Sequence, residues 1–164
     1  MPAAAAQRRV HNRLPALLDD LGIPLGELAR RTMLPARMLV RLRSPHANPS
    51  LRVAERIARA LEVHVEAIFS LSARRHCGPG GAAPLSRLGL GPLLAERRLS
   101  DVRFARDAGL DRAHVNRLKN GRTLPSVGTA LAVAAALRVD VATAFPPSAG
   151  RRARAAVNPS KGAR

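Results

Sequence analysis

Apolar residues recur along this chain at three- and four-residue spacing, the period of a helix with one buried face. Leu14, Leu17, Leu18 and Leu21 predict a first helix over about 12–21. Leu25, Leu28 and Ala29 predict a second over about 25–32, with Gly22 and Pro24 between the two. A third helix starts with Pro35, whose missing N–H does no harm in a first turn. Met38, Leu39 and Leu42 fall on its inner side, and Arg37, Arg41 and Arg43 on its outer side. After a loop over 44–49, Ser50 is the expected N-cap of a fourth helix that turns Leu51, Ala54, Ile57, Ala58 and Leu61 inward. A short fifth helix is expected over about 65–71.

The same pattern then returns. Shifting the sequence by 76 positions places Leu14, Leu17 and Leu18 on Leu90, Leu93 and Leu94 without a gap. Ala29-Arg30 falls on Ala105-Arg106, Leu34 on Leu110, and Arg41-Leu42 on Arg117-Leu118. Pro49-Ser50 falls on Pro125-Ser126, Ala58 on Ala134, Ala60-Leu61 on Ala136-Leu137, and Val63, Val65 and Phe69 on Val139, Val141 and Phe145. The period is too long for a solenoid and predicts a duplicated domain. The expected organisation is a basic arm over 1–10, a first domain over 11–72, a flexible Gly/Pro linker over 73–84, a second domain over 85–147, and a basic disordered tail over 148–164.

The second copy contains the more informative stretch, LSDVRFARDAGLDRAHVNRLKNGRTLPS over 99–126. Two short apolar runs meet at Gly109: Val102, Phe104, Ala105 and Ala108, then Leu110, Val115 and Leu118. Glycine accepts positive φ, so the chain can reverse there. Ser100 and Asp111 are expected N-caps, and Asn120-Gly121 the stop of the second run. That run turns Arg112, Asn116, Arg117 and Lys119 outward, a basic and amide-bearing face of the kind that reads a DNA groove.

Charge strengthens this picture. There are 28 Lys+Arg against 11 Asp+Glu, a net charge of +17, which attracts polyanions. With three Phe and neither Trp nor Tyr, the core must be aliphatic, which favours small helical domains. Cys77 is the only cysteine, so neither an internal disulfide nor a thiolate zinc cluster is expected, and a reducing cytoplasm fits. The histidines are scattered, and Gly78-Pro79-Gly80-Gly81 lacks the Lys-Ser/Thr of a phosphate loop. No local arrangement pairs a nucleophile with a base. The expectation is a protein without metal or cofactor that is not an enzyme. The N-terminus has no apolar signal core, and the Ala-rich run over 129–145 is too short and polar to span a bilayer.

The ordered set of motifs resembles the lambda-repressor-like helix-turn-helix family of Cro/cI or XRE type. In the second copy it comprises Phe104-Ala105, Gly109-Leu110, Val115, Leu118, Asn120-Gly121, Pro125-Ser126 and Ala134 with Leu137. In the first it comprises Leu28-Ala29, Leu34, Leu39, Leu42, Pro49-Ser50 and Ile57-Ala58 with Leu61 and Val63. The resemblance implies an all-α chain of two tandem five-helix domains that binds double-stranded DNA through two recognition helices, as a transcriptional regulator and repressor. By position it implies base reading by Arg112, Ala113, Asn116 and Arg117, and by Ala36, Arg37, Val40 and Arg41. Phosphate contacts are implied for Ser100, Lys119, Asn120 and Arg122, and for Arg43, Ser44 and His46.

The first copy departs from the family pattern: Met33 stands where the second has Gly109, and Pro45 replaces the loop glycine. A non-glycine residue at positive φ costs on the order of 1 kcal/mol, so an altered turn and a weaker or repurposed first reader are expected. The linker's reach, roughly 20 Å and at most about 40 Å, allows one chain to cover two half-sites in direct or inverted order. Two other readings fit the sequence. One is an antitoxin-like protein that binds a toxin and represses its own promoter. The other is a nucleoid-type architectural binder with little sequence preference.

Overall fold

A computed structural model describes residues 9–71 and 89–146. The expected linker, the expected tail, most of the arm and His76-Cys77 lie outside the described residues. The fold is mostly helical. The first unit contains α1 (Leu14–Asp20), α2 (Leu25–Thr32), α3 (Ala36–Arg41), α4 (Leu51–Ala60) and α5 (Val65–Ile68). The second contains α6 (Leu90–Glu96), α7 (Asp101–Ala108), α8 (Arg112–Lys119), α9 (Val127–Leu137) and α10 (Val141–Ala144). Each helix of the second unit begins 76 positions after its counterpart, from Leu14 and Leu90 to Val65 and Val141.

The all-α expectation needs correcting. Val10–Asn12 forms a strand, β1, antiparallel to β2 over Phe69–Leu71, with His11 opposite Ser70. The arm therefore ends in a strand, α1 starts two residues later than expected, and α5 stops at Ile68. Phe69 leaves the helix with φ −123 and ψ 134, which turns its ring into the core at 0 % exposure. Asn12 is buried within the strand. Its Nδ2 donates to Leu42 O at 2.6 Å and Ser44 O at 2.9 Å, and its Oδ1 accepts from Leu14 N. A buried amide satisfied in this way fastens β1 to the end of α3.

Side-chain capping marks four of the helix starts. Ser100, Asp111, Ser126 and Asp140 each accept a hydrogen bond from the first turn of the helix they precede. Ser50 occupies the N-cap position of α4 without a side-chain cap, and its extended backbone serves another purpose. It forms an antiparallel bridge with Ser126, flanked by Leu51 N–H donating to Pro125 O and Val127 N–H donating to Pro49 O.

Met33 corrects the expectation of an altered turn. It adopts φ 54 and ψ 31, the left-handed conformation that Gly109 adopts with φ 66 and ψ 37. The reversal between α2 and α3 is therefore made despite the side chain. Met33 is 79 % exposed, so its removal sacrifices little packing. Met33→Gly is expected to raise stability by up to about 1 kcal/mol, since the strain relieved exceeds the added chain entropy; urea unfolding of the two proteins measures it.

Two apolar clusters share one helix. The first joins Leu14, Leu28, Leu39, Leu51, Ile57, Ile68 and Phe69 with Val127, Ala130, Leu131 and Ala134 of α9. The second joins Leu90, Leu93, Phe104, Val115 and Leu118 with Val133 and Leu137 of the same helix. The two units are therefore docked through α9. Two side chains of the first unit add polar links. Asn48 Oδ1 accepts from Gly128 N at 2.9 Å, and Glu66 Oε1 accepts from Val141 N at 2.6 Å. Gly128 allows a close approach: a Cβ there would lie 2.8 Å from Val10 Cγ2. The inner-side assignment of Met38 also changes, because it is exposed, as are Leu21 and Val102 of the apolar runs.

Candidate nucleic-acid interface

In the second unit, α7 and α8 form two helices about a left-handed turn. Ser100 Oγ accepts from Arg103 N at 3.3 Å, and Asp111 Oδ1 accepts from Ala113 N at 2.5 Å. The buried side of α8 is Val115 and Leu118, packed with Phe104, Ala105 and Ala108 of α7. That packing sets the rotation of α8, and Arg112, Ala113, Asn116 and Arg117 are all exposed. Asn120 Nδ2 donates to Asn116 Oδ1 at 2.8 Å and to Asn116 O at 2.9 Å. The Asn116 amide is thus held by its oxygen, with its NH₂ group left to donate. Its oxygen keeps a second lone pair, so the amide can still meet an adenine edge through both its groups.

Lys119 and Ser100 differ from simple phosphate ligands. Lys119 Nζ contacts both carboxylate oxygens of Asp101, at 2.9 and 3.0 Å, so its charge is partly spent in tying α8 to α7. The Ser100 oxygen is engaged as a cap, although its hydroxyl proton can still be donated. Arg122 is exposed, and its backbone N–H closes the end of α8 on Arg117 O.

The first unit places α2 and α3 in the same way. Leu39 and Leu42 are buried, while Ala36, Arg37, Val40, Arg41, Arg43, Ser44 and His46 are exposed. Its outer face is less polar than that of α8, because Val40 stands where α8 has Asn116, while Arg37 against Ala113 offsets Ala36 against Arg112. On α2, Arg31 and Arg30 both bond to Glu27, and these hydrogen bonds hold its carboxyl below the usual carboxylate range. Glu27 therefore stays ionised and offsets positive charge on α2. On α4, burial pushes the Glu55 carboxyl up, against the pull of Arg59 and Arg52.

The residues that sequence reasoning missed are those that hold the readers in place. Asn12 clamps the end of α3, and Asn48 and Glu66 link the units. No motif marks a clamping amide. The docking did have a signal: VGTALAVAAAL, the whole of α9, carries no charge, and a helix apolar all round must be covered on more than one side. Among the described residues, no group of three or more His, Cys, Asp or Glu could hold a metal ion. No helix among them is long and apolar enough to cross a membrane.

Residues 93–143 match the helix-turn-helix family model, from Leu93 in α6 to Thr143 in α10. The match contains the α7–α8 pair and supports a DNA-binding role for that segment. Comparisons with curated proteins and with solved structures give no match.

Proposed function

We propose that this chain is a sequence-specific DNA-binding regulator of transcription, acting as a repressor, with two recognition helices, α8 and α3. The observation that carries the proposal is the α7–turn–α8 unit within the matched segment. Its packing commits one side of α8 to the core and leaves Arg112, Asn116 and Arg117 outward. Arginine pairs bidentately with guanine and asparagine with adenine, so this face carries the chemistry of direct readout. A helix-turn-helix protein of this kind represses most simply by occupying operator DNA. The reading is of a binding protein rather than an enzyme, and it draws on no cofactor.

The first unit supports a second reader because its turn is kept. Met33 makes the left-handed reversal, and α3 follows with Arg37 and Arg41 exposed. Arg41 and Arg117 occupy equivalent places and are the shared guanine readers. The basic excess adds attraction to phosphate that is independent of sequence.

A binding titration with two paired variants tests this. Arg112→Ala with Arg117→Ala, and separately Arg37→Ala with Arg41→Ala, should each weaken specific binding by about 10- to 100-fold. Affinity for unrelated DNA should fall far less, and both affinities should decline steeply with salt. Unchanged specific binding in both paired variants would refute the role of these helices. A drop of equal size on specific and unrelated DNA would favour the weakly specific architectural reading.

A further inference from the structure

The joint between the two units is made by equivalent residues. Ser50 and Ser126, 76 positions apart, face one another across an antiparallel bridge. The flanking bonds are reciprocal: Leu51 N–H donates to Pro125 O at 2.9 Å, and Val127 N–H donates to Pro49 O at 2.8 Å. Exchanging each residue for its counterpart turns one bond into the other. An antiparallel pair has a local two-fold axis between opposed residues, because reversing both strands restores the pattern. The five helices of each unit begin at equivalent positions, so an axis extended from this joint to the whole units would relate α3 to α8.

We propose that one chain reads one duplex as an inverted pair of unequal half-sites held at a single spacing. This rests on the DNA-reading role proposed above and adds the form of the operator. A half-turn rotation brings equivalent helices to a duplex in opposite senses. A direct repeat needs a shift without reversal, which the reciprocal bonds exclude. Burial of α9 in both clusters and the bonds from Asn48 and Glu66 fix the separation, which a tether alone would leave variable.

The half-sites are unequal because the readers differ at equivalent positions. Arg41 matches Arg117, so both half-sites carry a guanine at the position these residues reach. Val40 stands in the place of Asn116. The second half-site should present an adenine to Asn116, and the first a thymine methyl to Val40. Arg112 against Ala36 adds a further guanine to the second half-site, and Arg37 against Ala113 adds one, at the neighbouring position, to the first. The operator is then symmetric at one position and asymmetric beside it.

Selection of bound sequences from a random duplex pool by the full chain tests the proposal. The expected result is an inverted, two-part motif at one spacing, bound by one chain. A direct repeat, a single half-site, a variable spacing or two chains per motif would each overturn it. No enriched motif would instead overturn the sequence-specific role on which it rests. Inserting a half-turn of DNA, about 5 base pairs, between the half-sites should weaken binding at least about tenfold, as linkage between the readers is lost. Undiminished binding would mean that the units separate on DNA. Val40→Asn, at a position 56 % exposed and so of little consequence for folding, should move the first half-site towards adenine and make the motif more palindromic. An unchanged motif, with circular dichroism showing an intact fold, would overturn the assignment of Val40.

Discussion

Phe69→Ala is expected to lower stability by about 3–5 kcal/mol. The ring is fully buried, and it sits where α5 gives way to β2 and where the first cluster meets α9. Its removal leaves a cavity lined by residues of both units, which cannot collapse without disturbing the joint. Phe145, its counterpart 76 positions later, is half-buried and packs at the edge of both clusters. Phe145→Ala should therefore cost less, about 1–3 kcal/mol. Denaturant unfolding of both variants measures the difference. Equal losses would mean that the two positions contribute alike to the core.

Asn12→Ala should cost about 2–4 kcal/mol, although it removes little apolar surface. The alanine leaves Leu42 O, Ser44 O and Leu14 N without the bonds that the amide now makes. Leaving a buried polar group unsatisfied costs about 1–3 kcal/mol, and nearby water can recover part of it. The loss should also be local. Leu42 and Ser44 follow directly on α3, so amide hydrogen exchange should accelerate at the end of that helix while α8 stays protected. Uniform acceleration across both units would show that Asn12 supports the whole core instead of the first reader.

Helical periodicity made the five helices of the first unit and α7 and α8 legible, and the 76-position shift carried the pattern to α6, α9 and α10. Gly109, Asp111, Ser100 and Asn120-Gly121 act at the ends of α7 and α8 as their chemistry predicts. The failures have identifiable causes. Strand β1 is three residues long and alternates buried Val10 and Asn12 about exposed His11, too short a run for periodicity to distinguish. The strain of a left-handed Met33, on the order of 1 kcal/mol, is small against the burial of Leu28, Leu34 and Leu39 around it. A 76-position repeat suggests two complete cores, and so conceals that α9 is covered from both sides. On the outer faces, residue type indicates which side chains can meet DNA, but the Lys119–Asp101 pair and the Asn116–Asn120 bond come from tertiary placement.

The side-chain cross-links between the units run one way. Asn48 and Glu66 reach from the first unit to backbone N–H groups of the second, and at their counterparts Leu124 and Ala142 offer no acceptor side chain. Gly128 yields to Val10, whereas its counterpart Arg52 points to solvent. A surface that meets its own copy must satisfy every change twice. A surface between two covalently joined halves is released from that rule, and each half can specialise. The matched segment is consequently no transplantable module. Cut from its neighbour, it would carry a bare strip of Val127, Ala130, Leu131 and Ala134 along α9, and its natural remedy is the other half of the same gene product.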